Sequence, residues 1–459
     1  LISDIGVHAV DSDSFGKVES RGIDSIPAAE RHGRPRELAF LWGGAFVNYA
    51  SLFTASLLTT YYGLGVWDGL LAATLGTVAA AVILGLLSNT GPRSGQPQIV
   101  FTRRIFGLRG SYLGAGLTLF LAIGWFAVDC VIAAQAGAQL IGSGNRWVTF
   151  ALVIVVAAIS VAVAIFGHQT IKVLETYGAI VFAALSLGLF VVLAPQFHWT
   201  IRASASGADY PGAFVLGLMT CFALVASWYP FASDYSRYLP ASSPTRAVTI
   251  WPLVGVTLPM LLLGLFGLLL PTIDLKLAAG QGVLAVISQH APAWVALPFF
   301  MFVVLGEIWA NYLDVYTAGL VSLAMGIKLP RWQTALGCGV LGASLAAYAV
   351  LISDFHVAYE DFLILTYLWA PAWAAVVLLS LFLFDRQPKP RLALVSWLSG
   401  TATSLLFVNY DSLFSNLMPA HGFFNSGLVG MLHGADVSGL VSIVVAAAVY
   451  WAGQRARSM

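Results

Sequence analysis

Residues 212–238 read GAFVLGLMTCFALVASWYPFASDYSRY. The run is apolar from Gly212 to Ala226, then turns through Ser227-Trp228-Tyr229-Pro230 into the polar stretch Ser233-Asp234-Tyr235-Ser236-Arg237-Tyr238. Proline removes a backbone donor and clashes with the preceding turn, so this helix is expected to break while still at membrane depth. A second apolar run, near 37–63, carries Trp42-Gly43-Gly44 and then Asn48 at its middle. Breaks at corresponding places of two halves point to a midplane site between inverted repeats. Gly and Pro are frequent in membrane helices, so the pair of breaks needs support from the rest of the chain.

That support is compositional. The chain has 459 residues, 59% hydrophobic and 9% charged, with a mean hydropathy of +0.85. Soluble domains carry about 25% charged residues, so a soluble enzyme, a nucleic-acid binder and a disordered chain are excluded. Apolar runs near the roughly 20 residues of a membrane span fall at 37–63, 66–88, 111–141, 147–167, 170–193, 212–232, 247–271, 293–325, 332–352, 360–384, 392–409 and 428–453. Amphipathic stretches near 97–109 and 279–291 are expected at the interface. With twelve spans and both termini cytoplasmic, all but three of the 22 Lys and Arg residues fall inside, the exceptions being Arg146, Arg202 and Lys276. The positive-inside rule thus supports an all-α integral membrane protein of twelve transmembrane helices in the plasma membrane. The expected divisions are a cytoplasmic tail at 1–35, spans one to five at 36–193, spans six to ten at 194–390, and two further spans with a short cytoplasmic tail at 391–459.

Charges deep in a bilayer face a cavity or a partner. Four carboxylates lie within spans: Asp129, Glu175, Glu307 and Asp314. Glu307, Asn311 and Asp314 stand at i, i+4 and i+7 on one helix face. That face reads either as an interhelical hydrogen-bond seam or as the wall of a solute cavity or proton relay. The second is favoured, because two carboxylates on one buried face cannot both ionise cheaply. Trp125 precedes Asp129 by one turn, which sets a flat apolar ring beside a hydrogen-bonding group and suits a planar heterocycle; a Trp in a helix seam has the same spacing. Cys130, Cys221 and Cys338 lie in apolar stretches and form no disulfide framework or metal spacing. The eight histidines read as structural or solvated.

The motifs resemble those of the nucleobase–cation symporter-1 family, within it the purine–cytosine permease branch. The resemblance rests on Arg21-Gly-Ile-Asp-Ser-Ile-Pro and Glu30-Arg-His-Gly-Arg-Pro-Arg36, Gly124-Trp-Phe-Ala-Val-Asp129 extended by Ala133-Ala-Gln135, Val173-Leu-Glu-Thr-Tyr177, the Ser227–Tyr238 stretch and Tyr316-Thr-Ala-Gly-Leu320. It implies a LeuT-like fold of five-plus-five inverted repeats with two extra C-terminal helices, and uptake of heterocycles with Na⁺ or H⁺. Carried over, Trp125 stacks on the solute and Asp129 stands where the family has Asn or Gln. Asn48 takes the polar position of helix one, the Gly44 and Val47 carbonyls lie where Na⁺-coupled members hold their ion, and Trp228 (or Val225 one turn earlier) partners from helix six. Helix eight departs from the pattern: Na⁺-coupled relatives have two hydroxyls where this chain has Trp309, Ala310 and Asn311.

The expectation is a symporter, not an enzyme, importing a small nitrogenous heterocycle with H⁺ rather than Na⁺ and with no cofactor or metal, a monomer in lipid sufficing. Trp125, Asp129, Asn48, Ser227, Trp228 and Asn311 are its candidate solute contacts. Glu175, Glu307, Asp314, Gly44 and Val47 are its candidate ion or proton positions. Alternatives are a cationic vitamin precursor or amine as solute, Na⁺ coupling, and a channel or sensing receptor on the same scaffold.

Overall fold

Among the described residues every element of secondary structure is a helix, as a backbone in lipid requires when its polar groups must bond within the segment. The computed structural model describes residues 24–166, 171–201, 203–207, 209–327, 329–384, 389–409 and 431–456, without the side chains of 165, 166, 171–177 and 331. In order the helices are α1 (Glu37–Phe46), α2 (Tyr49–Thr60), α3 (Val66–Leu87), α4 (Thr90–Ser94), α5 (Gln98–Phe101), α6 (Arg103–Ile141), α7 (Arg146–Phe166), α8 (Ile171–Leu193) and α9 (Asp209–Ala226). They continue as α10 (Ala232–Ser236), α11 (Thr245–Ile273), α12 (Leu275–Gln281), α13 (Val283–His290), α14 (Ala293–Ala324), α15 (Arg331–Leu351), α16 (Phe355–Phe382), α17 (Pro390–Ser404) and a last helix, Ser438–Arg455.

Nine of the described helices are long and apolar enough to cross a membrane, or ten if α1 and α2 make one broken span. Of the helices at the places expected for spans eleven and twelve, α17 has 15 residues, below the range of about 17–25 that a span takes, and Ser438–Arg455 has 18, at its lower end. Residues 428–430, the expected start of span twelve, lie outside the described residues.

Both expected breaks are present. α1 and α2 meet at 59°, because Val47 (ψ 70) and Asn48 (φ −142, ψ 171) leave the helical region. Asn48 closes the gap with its own amide: Oδ1 accepts from Ser51 N at 2.9 Å, capping α2, and Nδ2 donates to Ala45 O at 2.9 Å. α9 stops at Ala226, a 3₁₀ turn runs through Tyr229–Phe231, and α10 resumes.

The short stretch near 97–109 divides in two: Arg104, Leu108 and Arg109 are exposed, while its first turn is not. Gln98–Phe101 is fully buried, because α5 packs under the far side of the helix-six break. There Gln98 N donates to Asp234 Oδ1 (2.8 Å), Ser233 Oγ to Gln96 O (3.0 Å) and Ser236 Oγ to Ser88 O (2.6 Å). The Ser-Asp-Tyr-Ser motif therefore staples α10 to the 88–98 segment. A kink at Gly107 (φ 70) separates the start of α6 from its long straight part.

Candidate functional site

The most extensive helix pairing is between α6 and α14, and the intramembrane carboxylates meet across it. Glu307 and Asp314 are seven residues apart, about 10 Å along a helix rising 1.5 Å per residue, too far to bond directly. Asp129, projecting from α6, lies within side-chain hydrogen-bonding reach of both. Asp129 and Glu307 are each only 5% exposed. A hydrogen bond between two carboxyl groups needs a proton on one of them, so joining both neighbours to Asp129 takes two protons among three groups. A set of this kind titrates as a unit, not as three separate acids.

Asn311 lies between the two acids on the same face of α14 and is fully buried. Its Nδ2 donates to Ser160 Oγ (3.2 Å) on α7 and reaches Cys130 Sγ (3.3 Å) on α6. The seam reading describes Asn311, which ties three helices together, while Glu307 and Asp314 flank it and both reach Asp129. Among the described residues Asn311 Oδ1 and Asp314 Oδ2 are buried with no hydrogen-bond partner. No group of three or more His, Cys, Asp or Glu among these residues is placed to hold a metal ion.

An aromatic wall stands beside the carboxyls. Trp125 lies one turn before Asp129 and meets Phe362 (5.3 Å, 89°) and Tyr359 (6.2 Å, 72°) of α16 edge to face. The Phe362 ring fits because residue 124 is glycine; a Cβ there would collide with it. Tyr359 is held in turn by Thr54 Oγ1 at 2.7 Å. The Thr54 proton goes to Ala50 O (2.7 Å), so Tyr359 is the donor. Tyr49 of α2 is close enough to feel the charge of Glu307, and Tyr359 that of Asp129 and Glu307. The second half of helix one, α6, α14 and α16 therefore converge on one place, with acids on one side and rings on the other.

The remaining sequence candidates make contacts of their own. Trp228 joins a second aromatic group, edge-on to Trp42 (5.7 Å) and tilted against Phe46 (6.1 Å). Ser227 Oγ donates to Leu224 O (2.7 Å) at the end of α9. The Gly44 carbonyl accepts from Val47 N at 3.2 Å, yet a Cβ at Gly44 would meet nothing within 4 Å, so the helix-one break borders open space. The Glu175 side chain lies outside the described residues; α8 meets α14 where Gly178 admits the Trp309 ring. Sequence reasoning missed Tyr359, Phe362, Tyr49 and Ser160. Ser160, a lone hydroxyl within an apolar span, carried a readable signal; the aromatics did not stand out among the 58 Phe, Trp and Tyr residues.

Comparison with known proteins agrees with this architecture. Residues 25–388 match the family described as permease for cytosine/purines, uracil, thiamine, allantoin. YxlA of Bacillus subtilis, which bears a purine-cytosine permease name, is 25% identical over 95% of each chain. The vitamin B6 transporter TPN1 of Saccharomyces cerevisiae is 23% identical over 72% of this chain and 59% of its own. The inward-facing structure of Mhp1 superimposes with a TM-score of 0.72 at 16% identity, covering 96% of both chains. A closed form of Mhp1, described as a nucleobase-cation-symport-1 family transporter with bromovinylhydantoin bound, gives 0.71 at 15% identity over 95% of both. The fold is thus the LeuT-like one, with the discontinuous first and sixth helices that the sequence announced. With a family match spanning most of the chain, the protein belongs to the nucleobase–cation symporter-1 permeases, in the purine–cytosine permease branch, and is a membrane transporter rather than an enzyme.

Proposed function

We propose that the protein imports a small nitrogenous heterocycle by proton symport across the plasma membrane, with both termini cytoplasmic and a monomer sufficient. The observation that carries this reading is the Asp129–Glu307–Asp314 cluster. Its internal hydrogen bonds exist only when protons are shared among the three groups. Loading or losing one of them therefore rearranges the contact between α6 and α14. In transporters of this architecture the two repeats rock about a central site, and a proton-dependent bond across a helix pair is a means of tying that motion to a gradient.

The solute lies between Trp125 and the carboxyls, with Tyr359 and Phe362 closing the aromatic side. Asn48 and Trp228 border it from the broken helices. Ser227 and Asn311 have spent their hydrogens on neighbours and contribute acceptor oxygens. Glu307, Asp314 and Glu175 are the proton-carrying positions. A Na⁺ site at the Gly44 and Val47 carbonyls lacks its complement, since residues 306–311 of α14 contain no hydroxyl side chain. The test is uptake into proteoliposomes. An imposed inward proton gradient drives it, a protonophore collapses it, and replacement of Na⁺ by choline leaves it unchanged. Strict Na⁺ dependence overturns the proton reading.

A further inference from the structure

The site has more acceptors than donors, and its charge has one sign. Asp129, Glu307 and Asp314 act on one another, and no Lys, Arg or His of the described residues acts on any of them. A carboxyl of the three that ionises therefore has no basic side chain beside it among the described residues. A charge at membrane depth is kept only with a partner or a function.

A second observation is independent of the acids. Asn311 is fully buried, its Nδ2 is engaged by Ser160 and Cys130, and its Oδ1 has no donor among the described residues. Buried acceptors without donors are rare. This one points to a ligand that brings an N–H group. The opposite wall is the Trp125, Tyr359 and Phe362 cluster, and tryptophan is the side chain whose ring attracts a cation most strongly.

We propose that the transported solute is a heterocycle bearing a positive charge, a protonated amine, amidinium or quaternary ring nitrogen. Its charge rests against the Asp129 cluster and its ring against Trp125. This deepens the heterocycle-transport reading and rests on it. A neutral base supplies donors but leaves the charge unmatched. A solute that turns only acceptors towards the cluster is repelled.

The experiment is thermal unfolding of the purified full-length protein with matched pairs of ring compounds: nicotinamide against 1-methylnicotinamide, and benzamide against benzamidine. A ligand that binds the folded state raises the unfolding temperature by mass action. The expected result is a rise with the cationic member of a pair and none with the neutral one, read on the unaltered protein. Asp129→Asn, which keeps the shape but not the charge, then weakens the cation on the order of a hundredfold, and Trp125→Phe weakens it less. A neutral member that binds as well as its cation overturns the charge inference and leaves heterocycle transport standing. An Asp129→Asn protein that binds the cation like the parent overturns it too. No response to either cation overturns the charge inference, while heterocycle transport is decided separately by the proteoliposome uptake.

Discussion

Asp129 on α6 and Glu307 on α14, far apart in the chain, come within hydrogen-bonding reach at the most extensive helix contact of the molecule, both 95% buried. Among the described residues neither has a basic partner, so what joins them is a proton. In the proposed mechanism Asp129 belongs to two sets at once: Trp125, one turn away on its own helix, on the solute side, and Glu307 with Asp314 on the proton side. A residue shared by both sets gives binding and proton occupancy a common free energy, which is the physical content of coupling.

Replacing Glu307 with Gln keeps a donor for Asp129 and removes a titrating group. Solute binding and solute counterflow are expected to persist, because exchange needs no net proton release. Accumulation driven by a proton gradient is expected to vanish. Counterflow and gradient-driven uptake measured side by side in the same proteoliposomes check this, and intact accumulation places the coupling elsewhere.

The aromatic wall predicts a graded series. Trp125→Ala removes the ring that meets Tyr359 and Phe362 and should weaken solute binding more than Trp125→Phe, with the difference about 0.5–1.5 kcal/mol if the contact is an ordinary aromatic one. Equal and negligible losses in equilibrium binding would return Trp125 to a packing role.

Gly124 makes a separate prediction about geometry. The Cβ of Gly124→Ala collides with the Phe362 ring and displaces it from Trp125. Overpacking of this kind costs about 1–3 kcal/mol. Thermal unfolding in detergent should fall accordingly, together with affinity; an unchanged affinity would mean that Phe362 does not shape the site.

Asn311 holds α14 to α6 and α7 through Cys130 and Ser160. Ser160→Ala removes one of these hydrogen bonds and should cost about 1 kcal/mol without changing the proton dependence of uptake. A shift in that dependence would bring Asn311 and Ser160 into the coupling machinery.

The fold was legible because membrane depth imposes a length on apolar runs and a sidedness on Lys and Arg. The breaks were legible because Gly43, Gly44 and Pro230 weaken or interrupt a helix by their own covalent structure. Trp125 with Asp129, and Glu307 with Asn311 and Asp314, were legible as faces because helical spacing fixes them. The contact between those faces was not. Which side of α6 meets which side of α14 depends on packing that small residues permit, and Asp129 could be read for the solute and Glu307 for protons without a sign that they touch. Tyr359 was hidden for a similar reason: its partner Thr54 lies on the second half of helix one, and only the bend at Val47 and Asn48 brings the two together. In the 97–109 stretch Gln98–Phe101 is buried under α10, a placement its amphipathic pattern does not distinguish from an interface.

The account stands on protons moving with the solute through the Asp129 cluster, and a pH electrode tests that directly. Proteoliposomes are suspended in weakly buffered, Na⁺-free medium and given the ring compound that most raises the unfolding temperature. The account predicts that the medium turns alkaline as solute enters, that a protonophore abolishes the change, and that Glu307→Gln proteoliposomes show none. Solute entry with no change in external pH, or entry that begins only when Na⁺ is added, would contradict it.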